Sequence, residues 1–220
     1  MKISNGSKLV MIGDSITDCG RARPYGEGKG DSLGNGYVSQ VNALLDATYP
    51  SVDIRIVNMG ISGNTVRELG ERWQTDALDL QPDWLSVMIG INDIMRHFNR
   101  RHMKEVHISI EEYEGTLDEL VGSAKASGIG QVILMTPFVV ESCKTDVLRR
   151  MVDDYGKAVE RVSQRRGTLF ADTQAAFDRY LERHYSLELA ADRVHPTQTG
   201  HMLIAREWLK AIEYDWDGRG

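Results

Sequence analysis

The chain has 220 residues, 41% of them apolar and 26% charged, with a formal net charge of −6. That length suits one domain, read here as residues 1–220, and folding at this size removes about 70% of the unfolded chain's surface, so the core needs no staples. The acidic balance argues against nucleic acid or an anionic membrane as partner and leaves a neutral substrate open.

The first predicted strand is Leu9–Ile12, and the run stops abruptly at "GDSITD", residues 13–18. The amino-terminal stretch before it has one early lysine and a short apolar run. It lacks a signal-peptide core and a cleavage site, which leads to the expectation of a cytoplasmic protein. Cys19 and Cys143 are the only cysteines, so a disulfide framework is not expected. Cys19 lies near Ser15 and raises a catalytic thiol as an alternative; no base is signalled for it, and a small packing role is the ordinary reading.

A glycine-rich segment follows from Cys19 to Gly36. Its Lys29 is followed by Gly30 rather than Ser or Thr, which rejects a phosphate loop. It reads as an irregular loop beside the site, with Arg21 and Arg23 either touching substrate hydroxyls or anchoring the loop, anchoring being favoured.

Further along, helices are predicted at Tyr37–Ala47, Thr65–Leu80, Ile110–Ala126, Asp146–Arg165, Gln174–Arg183 and Gln198–Ile212. They alternate with strands at Ile54–Asn58, Trp84–Ile89, Val132–Thr136 and Thr168–Ala171. The strands are nearly continuously apolar, as strands covered on both faces are. This alternation predicts α/β architecture: a three-layer α/β/α sandwich on a five-stranded parallel sheet, flavodoxin-like, with right-handed crossovers. Sites in such sheets form at the carboxyl ends of strands. Three strands are followed there by "GDSITD", "GISGNT" and "GIND", and "ADRVHPTQTGH" precedes the last helix. Any one of these loops could be an ordinary turn or cap. Together their residue types complement one another.

In "DRVHP" Asp192 stands three residues before His195. A histidine base needs one ring nitrogen on the nucleophile and the other donating to a partner that fixes its tautomer. Pro196 restricts His195 to extended backbone and can open the next helix. Ser15 is the candidate nucleophile; a serine at a helix start can instead spend its hydroxyl as an N-cap. The candidate oxyanion donors are the Ser15 and Gly63 N–H groups and the Asn92 side-chain amide.

The blocks "GDSITD", "GISGNT", "GIND" and "DRVHPT", in this order, resemble the four blocks of the SGNH (GDSL-type) hydrolases and cover nearly the whole chain. Ile16 stands where the GDSL name has leucine. The resemblance implies the α/β/α sandwich, a triad of Ser15, Asp192 and His195, and an oxyanion hole of Ser15, Gly63 and Asn92. "GDSITDCGRARP", "GISGNTVREL", "MIGINDI" and "DTQAAFD" are similar to intracellular acetyl xylan and acetyl xylo-oligosaccharide esterases. That similarity implies a serine acetylesterase acting on acetylated xylo-oligosaccharides without metal or organic cofactor. Asp14, Arg21 and Arg23 are candidate substrate contacts. The alternatives are a same-fold lysophospholipase or thioesterase, or a noncatalytic ligand-binding module.

His97, His102 and His107 fall five residues apart, a spacing that misses a common helix face, so no metal site is expected. His184 and His201 carry no local partner motif and read as structural or exposed. Trp73, Trp84 and Trp208 lie in apolar or amphipathic stretches and read as core. Trp216, in the polar tail, reads as packing at a subunit interface, and a homo-oligomer is expected.

Overall fold

The computed structural model describes residues 1–218. Five strands form one parallel sheet: β1 (Lys8–Gly13), β2 (Arg55–Asn58), β3 (Trp84–Met88), β4 (Gln131–Met135) and β5 (Leu169–Ala171). Their order is β2-β1-β3-β4-β5. The register aligns Val10 with Val57 on one side and Leu85 on the other. β1 and β3 are buried along almost their whole length. This explains their unbroken apolar sequences, because helices cover both faces.

The α-helices among the described residues are, in chain order, α1 (Ser15–Asp18), α2 (Tyr37–Thr48), α3 (Val66–Glu71), α4 (Ile91–Asn99), α5 (Ile110–Ala126), α6 (Val147–Arg166), α7 (Thr173–Leu181) and α8 (Gln198–Ala211). α2, α8 and α7 pack together, and α3, α5 and α6 form the other group. Right-handed crossovers place these groups on opposite faces, because the chain runs from β1 outward to β2 and then returns past β1 to β3. Trp208 of α8 is fully buried and donates from Nε1 to Ser86 Oγ of β3 at 3.0 Å. Trp73 and Trp84 are also core residues.

Two helices depart from the sequence pattern. The predicted helix Thr65–Leu80 is divided. α3 begins where Glu68 accepts the Thr65 N–H at 2.8 Å and ends where Arg72 leaves helical dihedrals (φ −107°, ψ 5°). A separate π-helical turn spans Gln74–Leu78. α4 was not expected, since "GIND" reads as a loop. Its ends nonetheless match the helix dipole, with Asp93 in the first turn and Arg96 and His97 in the last.

The reversal of strand order lies between β1 and β3, so the crevice at their carboxyl ends is where an α/β sheet places a ligand. β1 ends at Gly13, where an added Cβ would meet Met88 O at 2.2 Å and Thr17 Oγ1 at 2.5 Å. Only glycine lets the two strand ends approach this closely.

Candidate active site

Ser15 opens α1 directly beyond β1. The cap of that helix comes from Asp14, whose Oδ1 accepts the Ile16 N–H at 3.0 Å. The N-cap role and the nucleophile role therefore fall on different residues, and the Ser15 hydroxyl is left for His195. Ser15 Oγ lies 2.9 Å from His195 Nε2, across 180 residues of sequence. His195 Nδ1 lies 2.6 Å from Asp192 Oδ2. The other carboxylate oxygen, Oδ1, accepts the N–H groups of Val194 at 3.0 Å and His195 at 2.8 Å. Burial pushes the Asp192 carboxyl up, but the bonds from His195 and Val194 outweigh it and hold the group down at about 2. Asp192 is thus a carboxylate at neutral pH, and Nδ1 must donate to it. Nε2 is then the ring acceptor and the Ser15 O–H donates to it.

The three candidate oxyanion donors stand at the start of α1, on the loop after β2 and at the start of α4. Gly63 has φ +83°, a conformation that glycine adopts freely. Among the described residues no acceptor takes the Gly63 or the Ser15 N–H. Asn92 opens the crevice side of α4 and donates one amide hydrogen to Asn64 O at 3.0 Å, which leaves its second hydrogen to spend elsewhere. The Gly63 loop is tied to the Ser15 turn by Ile61, whose N–H donates to Gly13 O at 3.0 Å, and by Ser62, whose N–H and hydroxyl donate to Asp18 Oδ2 at 3.0 and 3.1 Å. Ser15, Gly63, Asn92, Asp192 and His195 thus converge on one end of the sheet. The cluster is open, with the His195 and Asp192 side chains 58% and 54% exposed. A hollow of about 340 Å³ elsewhere, lined by Arg149, Lys157 and Asp178, holds no nucleophile–base pair.

Burial moves two of the candidate substrate contacts into the scaffold. Asp14 is 1% exposed, and burial raises its carboxyl to about 7. Arg21, 5% exposed, donates from Nε to Gly60 O at 2.8 Å and from Nη1 to Pro24 O at 2.7 Å. Arg23 pairs with Asp18 at 2.6 Å and donates to Arg21 O, while its side chain stays half exposed. Both arginines anchor the glycine-rich loop; the sequence pattern could not separate anchoring from substrate contact.

Burial raises the Cys19 thiol to about 11, so it carries no thiolate at neutral pH. It instead packs against His201, with Sγ 3.3 Å from Nε2. His201 accepts the Tyr37 N–H on Nδ1, and burial lowers it to about 4. These two neutral groups link α1, α2 and α8. His97 and His107 do meet, ring centroids 4.4 Å apart, because the loop after α4 folds back; each Nε2 faces a backbone carbonyl. Among the described residues no cluster of three or more His, Cys, Asp or Glu is placed to hold a metal ion. Two site-forming residues had no sequence signal. Arg72 looks like any helix arginine. Asp93, fully buried, looks like an ordinary helix-start carboxylate, yet its Oδ1 accepts the Val66 N–H at 3.0 Å.

The model of the GDSL-like lipase/acylhydrolase family matches residues 11–203, which contain all five of these residues. The chain belongs to that family. It is similar to the acetylxylan esterase of Geobacillus stearothermophilus, with 52% identity over 216 residues and 98% of each chain covered. Its structure superposes on the crystal structure of that esterase, Axe2, with a TM-score of 0.96 at 51% identity, again covering 98% of each. A second solved relative is LAE5, an alpha/beta hydrolase from the metagenome of Lake Arreo, Spain. It matches at TM-score 0.94 and 47% identity, over 97% of this chain and 98% of that one. Axe2 has been solved as catalytic mutants in which a serine, a histidine or an aspartate is replaced by alanine. Family and fold together make this chain a carboxylic ester hydrolase of the SGNH type.

Proposed function

We propose that this enzyme removes O-acetyl groups from short xylo-oligosaccharides through an acetyl-enzyme intermediate. The observation that carries the mechanism is the hydrogen-bonded line from Ser15 Oγ through His195 to Asp192. His195 Nε2 takes the hydroxyl proton as Ser15 Oγ attacks the acetyl carbonyl carbon. The tetrahedral oxyanion accepts hydrogen bonds from Ser15 N–H, Gly63 N–H and the free Asn92 amide hydrogen. His195 then gives its proton to the departing sugar oxygen. Water enters, loses a proton to His195, attacks the acetyl carbon and releases acetate, restoring Ser15. Asp192 orients the imidazole and stabilises its cationic form. No step calls for a metal or organic cofactor.

The substrate class rests on the 52% identity to an acetylxylan esterase along the full length. Among the described residues no helix is long and apolar enough to cross a membrane. A cytoplasmic location and a small acetylated sugar as partner are part of the proposal. A homo-oligomer is proposed as well. Tyr185 and Leu187, 82% and 74% exposed, stand on the segment leading to the His195 loop. Trp216, half exposed, packs edge-on against Tyr214 at 4.8 Å and under Arg206 at 5.0 Å. It presents its remaining face outward.

Acetate release from acetylated xylo-oligosaccharides, compared across acyl lengths and other acetylated sugars, tests the reading. Short acetyl xylosides are expected to be preferred, and Ser15→Ala to be inactive. Preference for long acyl chains or thioesters would replace the substrate class. Activity retained by Ser15→Ala would remove the mechanism.

A further inference from the structure

We propose that Arg72 is a positioning residue for the oxyanion hole, a guanidinium that fixes the three donor-bearing segments relative to one another. The inference rests on the assignment of Ser15, Gly63 and Asn92 as donors. Arg72 stands just past α3 with its side chain 12% exposed. Nη2 donates to Gly13 O at 2.9 Å, and Nη1 to Met59 O at 2.7 Å. Nε donates to Asn64 Oδ1 at 2.7 Å. Asp76, one turn on, holds Nη1 from the other side at 3.0 Å.

These acceptors lie on two segments leaving the sheet's carboxyl edge, the end of β1 and the loop that follows β2. Gly13 closes β1 two residues before Ser15. Met59 follows β2. Asn64 is the residue after Gly63, and its own carbonyl takes the hydrogen bond from Asn92 beyond β3. One planar cation thus reaches the Ser15 N–H through Gly13, the Gly63 N–H through Asn64, and the Asn92 amide through Asn64 again. Beyond the bonds of Ile61 to Gly13 and of Ser62 to Asp18, Arg72 adds a side-chain clamp on loops that have no regular hydrogen-bond ladder. The role suits arginine alone, because its fork offers donors in several fixed directions whereas an ammonium is a single point charge. Oxyanion donors act by being in place before the charge develops, so a displacement of about 1 Å costs rate and leaves substrate binding nearly untouched.

Arg72→Lys, Asn64→Ala and the double variant test this, with Ser15→Ala beside them. On p-nitrophenyl acetate each single variant should lose about 10- to 100-fold in kcat with KM within about twofold of wild type. The double variant should lose no more than the worse single one, since both cut the same chain of bonds. A tetrahedral boronate adduct should weaken in parallel with kcat. Unchanged kcat in both folded single variants, a loss carried by KM, or losses that multiply in the double variant would overturn the proposal. If Arg72→Lys fails to fold, Asn64→Ala decides: a fall in kcat with steady KM supports it, and wild-type kcat overturns it. Activity in Ser15→Ala would instead defeat the site assignment itself, whereas an inactive Ser15→Ala beside fully active Arg72 and Asn64 variants defeats only the role of Arg72.

Discussion

Replacing Asp192 by asparagine keeps the shape of the side chain and inverts one hydrogen bond. The direction of that inversion is set by the structure. Asp192 Oδ1 accepts two backbone N–H groups, from Val194 and His195. An asparagine must put its carbonyl oxygen there, since an NH₂ in that position would face two donors. Its NH₂ then points at His195 Nδ1, where Asp192 Oδ2 now stands at 2.6 Å. Nδ1 becomes an acceptor, the ring proton moves to Nε2, and the ring can no longer take the Ser15 proton. The loop stays pinned, so the expected loss is one of tautomer rather than of fold: roughly 10⁴ in kcat, about 5 kcal/mol of transition-state stabilisation. The assay is the acetylation burst and steady-state kcat on p-nitrophenyl acetate. Nitrogen NMR of the histidine ring should show the Nδ1–H tautomer in wild type and Nε2–H in the variant. A loss below tenfold, or an unchanged tautomer, would refute the reasoning.

Ser15→Ala should abolish turnover with the melting temperature near wild type, because Asp14 rather than Ser15 caps α1; a large fall in melting temperature would return the capping role to the serine. Asn92→Ala should retain measurable activity at about 10²–10³ below wild type, and unchanged kcat would remove it from the oxyanion hole. Asp93 gives a stability prediction. Burial raises its carboxyl from 3.8 to about 7, so the folded state binds a proton that the unfolded state has released between those values. Stability from this group therefore falls as pH rises from about 4 to about 7. Asp93→Asn keeps the acceptor for Val66 and does not titrate; its stability relative to wild type, read from melting curves, should rise from pH 5 to pH 8 by up to about 3 kcal/mol. A difference independent of pH would show that the carboxyl does not titrate there.

What the sequence determined by itself was whatever depends on neighbours in the chain. Apolar runs marked the strands, since a strand covered on both faces shows no alternation. Period and caps marked most helices, with Ile110–Ala126 found at both its ends. Asp192 and His195 could be paired because three residues of one loop suffice to bring a carboxylate to Nδ1. The tertiary structure decided what depends on segments far apart. It gave the cap of α1 to Asp14 and so released the Ser15 hydroxyl, which only the arrival of His195 from 180 residues away makes useful. It buried Asp14 and Arg21, and it turned Arg72, an unremarkable residue of the predicted helix, inward onto the end of β1 and the loop that follows β2. Local periodicity reports which face of an element is apolar. It carries no record of where a carbonyl from another strand will stand, and a polar side chain takes its role from that carbonyl.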